Sequence, residues 1–204
     1  MIKLNQLSSK ESDLFFPLED KIWPEKIRAT REQLEYRLEV FPEGIFGIWV
    51  NNSPIGFATS QIIEFNRDMN CKELEKYLPR FGEFNIHHNK NGNCLHFMSA
   101  GILNEFRGNN YWDLLIHARI CLAQYLHLEY IIVDLRIPFY QRLKSFYSYN
   151  SINDYIKLKK ENFFIDPYMK KFQKIGFNFA GIVNSSYSDD ECDNTWIYMQ
   201  KKLR

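Results

Sequence analysis

No stretch of this 204-residue chain approaches the roughly 18 consecutive apolar residues that a membrane-spanning helix needs. The opening MIKLNQLSSKESDLFF also lacks a basic start followed by a long apolar core, so no secretion signal is read and a cytoplasmic location is expected. Excess charge of either sign is missing too: 26 Lys and Arg stand against 25 Asp and Glu, a net +1. That balance disfavours a partner held by bulk charge, such as a nucleic-acid backbone. Cysteine is sparse, and Cys71, Cys94, Cys121 and Cys192 form no CxxC, which argues against a zinc site and against a disulfide framework. His87 and His88 are neighbours, and adjacent residues rarely aim at one ion, so no metal is expected. Internal repeats and low-complexity linkers are absent as well.

What is present is the material for one core, with 45 % hydrophobic residues, 16 % of the chain being aromatic. A single α/β (α+β) domain over residues 1–204 is expected, with 1–22 as an N-terminal helical extension and 138–165 as a helical insertion. A helix is expected over Glu11 to Ile22, weakened at its start by Pro17. Thr30 with Gln33 has the spacing of a capping box, ahead of a helix carrying Leu34, Leu38 and Phe41. Two strand-like runs, Ile45 to Val50 and Ile55 to Phe65, are joined by Asn51-Asn52-Ser53-Pro54, a hairpin signal. A short helix over Cys71 to Leu78 and a long loop from Pro79 to Cys94 follow. Beyond position 138, helices are read over Ser151 to Lys160 and from Asp166-Pro167 to about Ile175, where Gly176 ends the second. Strands Phe177 to Val183 and Thr195 to Gln200 close the chain.

Leu95 to Arg136 is the organising stretch: an apolar strand, a turn holding Arg107 and Gly108, an amphipathic helix, and a β-branched strand. A strand turning tightly into a helix offers unpaired N–H groups and a partial positive charge, a ready site for phosphate. Arg107 adds a forked cationic donor set, and Gly108 lets backbone approach closely.

These residues resemble the donor motif of the GCN5-related N-acetyltransferase (GNAT) family, in which Arg or Gln is followed at fixed spacing by Gly and then Gly or Ala. Phe172 to Phe177 is similar to the family's segment closing the last helix. Ala29 to Gln33, Phe41 to Gly44, Pro54 to Ser60, His88 to Gly92, Arg136 with Pro138 and Tyr140, and Asp166-Pro167 resemble acetyltransferase domains joined to carbon–nitrogen hydrolases, and more distantly polyketide-synthase loading domains. The resemblance implies a curved mixed sheet that splays beside its fourth core strand. It implies acetyl-CoA (or another acyl-CoA) as donor, with pantetheine on the backbone of Ile102 and Leu103. Arg107 and the turn Gly108, Asn109, Asn110, Tyr111 and Trp112 would hold the pyrophosphate. A small-molecule amine would be the acceptor and attack the acyl carbonyl directly.

Three positions depart from the family pattern: Asn110 stands for Gly, Trp112 for Gly or Ala, and Phe172 for the tyrosine that serves as general acid. Side chains at 110 and 112 are expected to narrow the pyrophosphate pocket. The alternatives are a donor borne by an acyl carrier protein, or a non-catalytic binding protein of the same fold. Tyr168, one turn before Phe172, and Tyr140 are candidate acids. His96, Glu64 and Asp134 are candidate bases near strands that would border the cleft.

Overall fold

Asn51 and Asn52 both adopt left-handed backbone, φ 50° and 66°, the conformation a two-residue hairpin turn requires. They join β2 (Phe46–Val50) to β3 (Ser53–Ile63), the seed of a seven-stranded mixed sheet. The computed structural model describes residues 1–69, 71–75, 87–184 and 189–204. β4 (Cys94–Ile102) pairs antiparallel with β3 and parallel with β5 (Tyr130–Arg136). A parallel pair needs a crossover, and helix α4 (Tyr111–Tyr125) supplies it. The antiparallel pair β8 (Asn178–Asn184) and β9 (Thr195–Lys202) extends the sheet from β5 and β1 (Ile2–Gln6) forms its other edge, giving the order β1-β2-β3-β4-β5-β9-β8.

Apolar side chains leave both faces of the sheet. Leu95, Phe97, Val133 and Leu135 pack under Leu115 and Ile116 of α4 and Phe172 of α7 (Pro167–Lys174). On the opposite face Trp49 and Phe57 meet Phe15 and Leu18 of α1 (Ser12–Ile22) and Leu34 of α2 (Arg31–Val40). The start of α2 is fixed by the expected capping box, Thr30 accepting from the Gln33 amide while Gln33 accepts from the Thr30 amide.

Three expectations change. Residues 1–22 are not wholly helical: Ile2–Gln6 forms strand β1, paired antiparallel with β2 at the sheet edge. The helix read over Ser151 to Lys160 stops after Ile152–Tyr155 (α6); further on, Glu161 and Asn162 both take positive φ and turn Lys159–Lys160 (β6) back on Phe163–Phe164 (β7). Residues 138–165 therefore hold α5 (Phe139–Leu143), α6 and a small hairpin rather than helices alone. The helix from Cys71 is described only as Cys71–Glu75 (α3), and positions 76–86 of the expected helix and loop lie outside the described residues.

Candidate active site

β4 and β5 are paired only from Cys94↔Tyr130 to Phe97↔Val133. At the point where this pairing ends, β4 carries an extra residue against β3: Thr59 faces Ser99 and Ser60 faces Phe97, leaving Met98 as a bulge. A bulge re-aims the strand that carries it, and here the end of β4 parts from β5. The gap is a cleft of about 490 Å³ walled by both strands. The Leu103 amide donates to Ile55 O at 2.9 Å, so it faces β3. By alternation the edge groups of Ala100 and Ile102 face the gap. Of the two residues whose backbone is expected to hold pantetheine, Leu103 thus turns its amide to β3, whereas Ile102 faces the gap, its carbonyl accepting from Arg107 Nε at 3.3 Å.

The mouth of the cleft is the turn after β4. Asn104–Phe106 makes one 3₁₀ turn, Arg107 is extended, and Gly108 takes φ +85° with open space where a Cβ would stand. Asn109 is exposed and anchors to Phe106 O. Asn110 adopts φ 60° at the N-cap of α4, so it provides the left-handed backbone that glycine would otherwise supply. Its side chain does not cap the helix, and the first-turn amides of Tyr111 and Trp112 have no intrahelical acceptor. Trp112 lines the cleft together with Gly108 and Asn110. Its ring rests 5.4 Å from Tyr168 and 5.6 Å from Phe172, between α4 and α7. Lys171 reinforces the same contact by pairing with Asp113 at 2.5 Å.

Charge converges where the strands part. Asp134, the first β5 residue beyond the pairing, borders the cavity and is buried. Burial raises its pKa above the usual carboxylate value, opposed by His96 and Arg37. Its Oδ1 lies 2.5 Å from His96 Nε2. From the other face Arg119 of α4, 1 % exposed, reaches the cleft. It donates to Leu115 O and Ser99 O at 3.2 Å and lies 4.0 Å over the Phe97 ring. Burial pulls its pKa down to about 9, opposed by Asp134.

Of the four side chains expected to carry catalysis, only Tyr168 lines the cleft. His96 sits behind Asp134, fully buried. Tyr140 is buried beside Tyr155, 5.3 Å between rings, and its carbonyl accepts from Tyr149 Oη. Glu64 is exposed, one residue beyond β3. Tyr140 and Glu64 thus stand outside the cavity. In sequence, Arg119 has one signal, a cation on the apolar side of α4 between Leu115, Ile116 and Ile120. Among the described residues no three His, Cys, Asp or Glu side chains are grouped to hold a metal, and His88 Nδ1 is occupied by the Ile62 amide at 3.2 Å.

No family model and no curated protein sequence matches the chain. Solved structures do match. The loading GNATL domain of CurA from Lyngbya majuscula superposes with a TM-score of 0.80 at 18 % identity, over 99 % of this chain and 98 % of that one. The GphF GNAT-like decarboxylase in complex with isobutyryl-CoA gives 0.80 at 19 % identity, over 99 % and 100 %. The ribosomal-protein-S18-alanine N-acetyltransferase from Escherichia coli gives 0.60 at 11 % identity, over 100 % and 94 %. The narrower kinship with domains joined to carbon–nitrogen hydrolases finds no support in these likenesses. At such identities the likeness is one of architecture, and the chain has the fold of the GCN5-related N-acetyltransferases.

Proposed function

We propose that the chain transfers an acetyl or other short acyl group from a CoA thioester to the amine of a small molecule. The observation that carries this reading is the parting of β4 from β5 after Phe97 and Val133 into a cleft with a helix N-terminus at its mouth. The edge groups of Ala100 and Ile102 would hold the pantetheine amides as a strand edge holds a peptide. The amides of Gly108 to Trp112, with Arg107, would hold the pyrophosphate, and the left-handed backbone of Gly108 and Asn110 fits that group. The thioester would then lie at the notch, near Arg119 and Asp134, where a nearby guanidinium stabilises negative charge growing on the carbonyl oxygen. Tyr168 is the cleft-lining hydroxyl available to protonate the leaving thiolate. The purified chain incubated with acetyl-CoA and an amine panel, read by mass spectrometry, should yield acylated amine and free CoA. CoA binding without turnover would instead favour a binding protein.

A second reading has its own observation. Arg119 brings a buried positive charge to the notch, which suits an acyl group that itself bears a carboxylate. A carboxyacyl thioester could lose carbon dioxide there, as the description of GphF as a decarboxylase invites. Its carbon–carbon bond would break, leaving the electron pair on the thioester enolate for protonation. Carrier-borne pantetheine presents the same thioester without the CoA pyrophosphate. Parallel assays with acetyl-CoA, malonyl-CoA and acylated carrier protein separate these donors.

A further inference from the structure

We propose that Asp134 exchanges the proton with the reactants in the cleft, and that His96 and Gln61 are positioning residues that hold its carboxylate from behind. The reactants rest on the acyl-transfer reading; the arrangement rests on side-chain geometry. Asp134 follows Val133, the last β5 residue paired with β4, so its carboxylate stands where the strands part. Oδ1 meets His96 Nε2 at 2.5 Å, while Oδ2 is buried with no hydrogen-bond partner among the described residues. A buried acceptor left open is costly, and one bordering a cavity is placed to receive a donor from a ligand.

The residues behind it set the direction of the hydrogen bonds. Gln61 Nε2 lies 3.0 Å from His96 Nδ1. Donation from Gln61 Nε2 to Nδ1 would place the imidazole proton on Nε2, aimed at Asp134. The order is carboxylate at the cleft, imidazole behind it, amide last. His96 is 0 % exposed and does not border the cavity, so it acts through Asp134. The charged or titratable groups around Asp134 are His96 from β4, Arg119 from α4 and Arg37 from α2.

In the transfer, the amine nitrogen attacks the acyl carbon with its lone pair and the carbon–sulfur bond breaks with its pair on sulfur. The proton shed by nitrogen passes to Asp134 Oδ2, Tyr168 Oη gives its proton to sulfur, and the proton held by Asp134 restores the Tyr168 hydroxyl. Amine and acyl thioester become amide and thiol.

The test pairs kinetics with a spectrum that needs no turnover. With acetyl-CoA and the best amine of the panel, Asp134→Asn should lower kcat at least about 100-fold, with the CoA Kd within about threefold. His96→Asn removes an interaction that holds the Asp134 pKa down, so the acid limb of kcat/KM should move to higher pH at unchanged acetyl-CoA KM. Nitrogen-15 histidine spectra of the wild-type chain should show His96 protonated at Nε2 and bare at Nδ1, and Asp134→Asn should shift that proton. Near wild-type kcat in Asp134→Asn, an unmoved acid limb in His96→Asn, or an Nδ1–H tautomer would overturn the proposal. A wild-type chain that turns over no amine overturns acyl transfer itself. The spectrum then decides alone, an Nε2 proton that moves with Asp134→Asn supporting the arrangement and an Nδ1 proton refuting it.

Discussion

Glu19, on α1, is 4 % exposed; its Oε1 accepts from the Ala29 amide at 2.6 Å and its Oε2 has no hydrogen-bond partner among the described residues. Burial raises its pKa from 4.5 to about 7, opposed by the Ala29 amide and Arg37. The folded chain therefore holds this proton more tightly than the unfolded one. Its contribution to stability is complete below pH 4.5 and is lost as pH rises through about 7, a change of roughly 3 kcal/mol. Glu19→Gln keeps the acceptor and removes the charge, so the fall in stability between pH 5 and 8 should flatten, as measured by urea unfolding. An equally steep fall in the variant would contradict the assignment. At the cleft mouth, Arg107→Ala should weaken CoA binding roughly tenfold by calorimetry, the worth of a charge-assisted contact. An unchanged Kd would remove Arg107 from the phosphate site.

At the scale of elements, α7 shows how one side chain can fix a whole segment. Asp166 Oδ1 accepts from the amides of Tyr168 and Met169 at 2.9 and 3.0 Å, and Oδ2 accepts from Tyr155 Oη at 2.8 Å. Asp166→Ala removes the cap and strands a buried hydroxyl, so it should cost about 3 kcal/mol in urea unfolding. A loss below about 1 kcal/mol would mean that the cap and the hydroxyl find other partners. The Asp166-Pro167 start of α7 was legible in sequence because capping is local chemistry, and so were the Thr30–Gln33 box and the Asn51-Asn52 hairpin. β1 was not legible: five residues gain their identity only by pairing with β2. The hairpin β6–β7 was hidden for a similar reason, since Ile152, Tyr155 and Ile156 have helical spacing, yet Tyr155 is drawn into the core and bonded to Asp166. In the site, the turn was readable because it is contiguous. The meeting of Gln61, His96, Asp134 and Arg119 depends on strand register and on the Met98 bulge, which no local pattern encodes.

Across the molecule, near-neutral total charge conceals an uneven distribution. From Arg136 to Lys174 nine Lys and Arg stand against three Asp and Glu, and α7 within this stretch borders the cleft through Tyr168, Lys171 and Phe172. Several-fold weaker acetyl-CoA binding in 500 mM than in 50 mM NaCl is expected, because the donor's phosphates approach a positive region that salt screens. Salt-independent binding would place the phosphates elsewhere. The central claim, that the parted strands receive a pantetheine thioester, is tested most directly by amide hydrogen exchange with and without saturating acetyl-CoA. The account predicts slowed exchange at Ala100 and Ile102 and at Gly108 to Trp112. Unchanged exchange at both segments in the bound state, or protection confined to other parts of the chain, would contradict it.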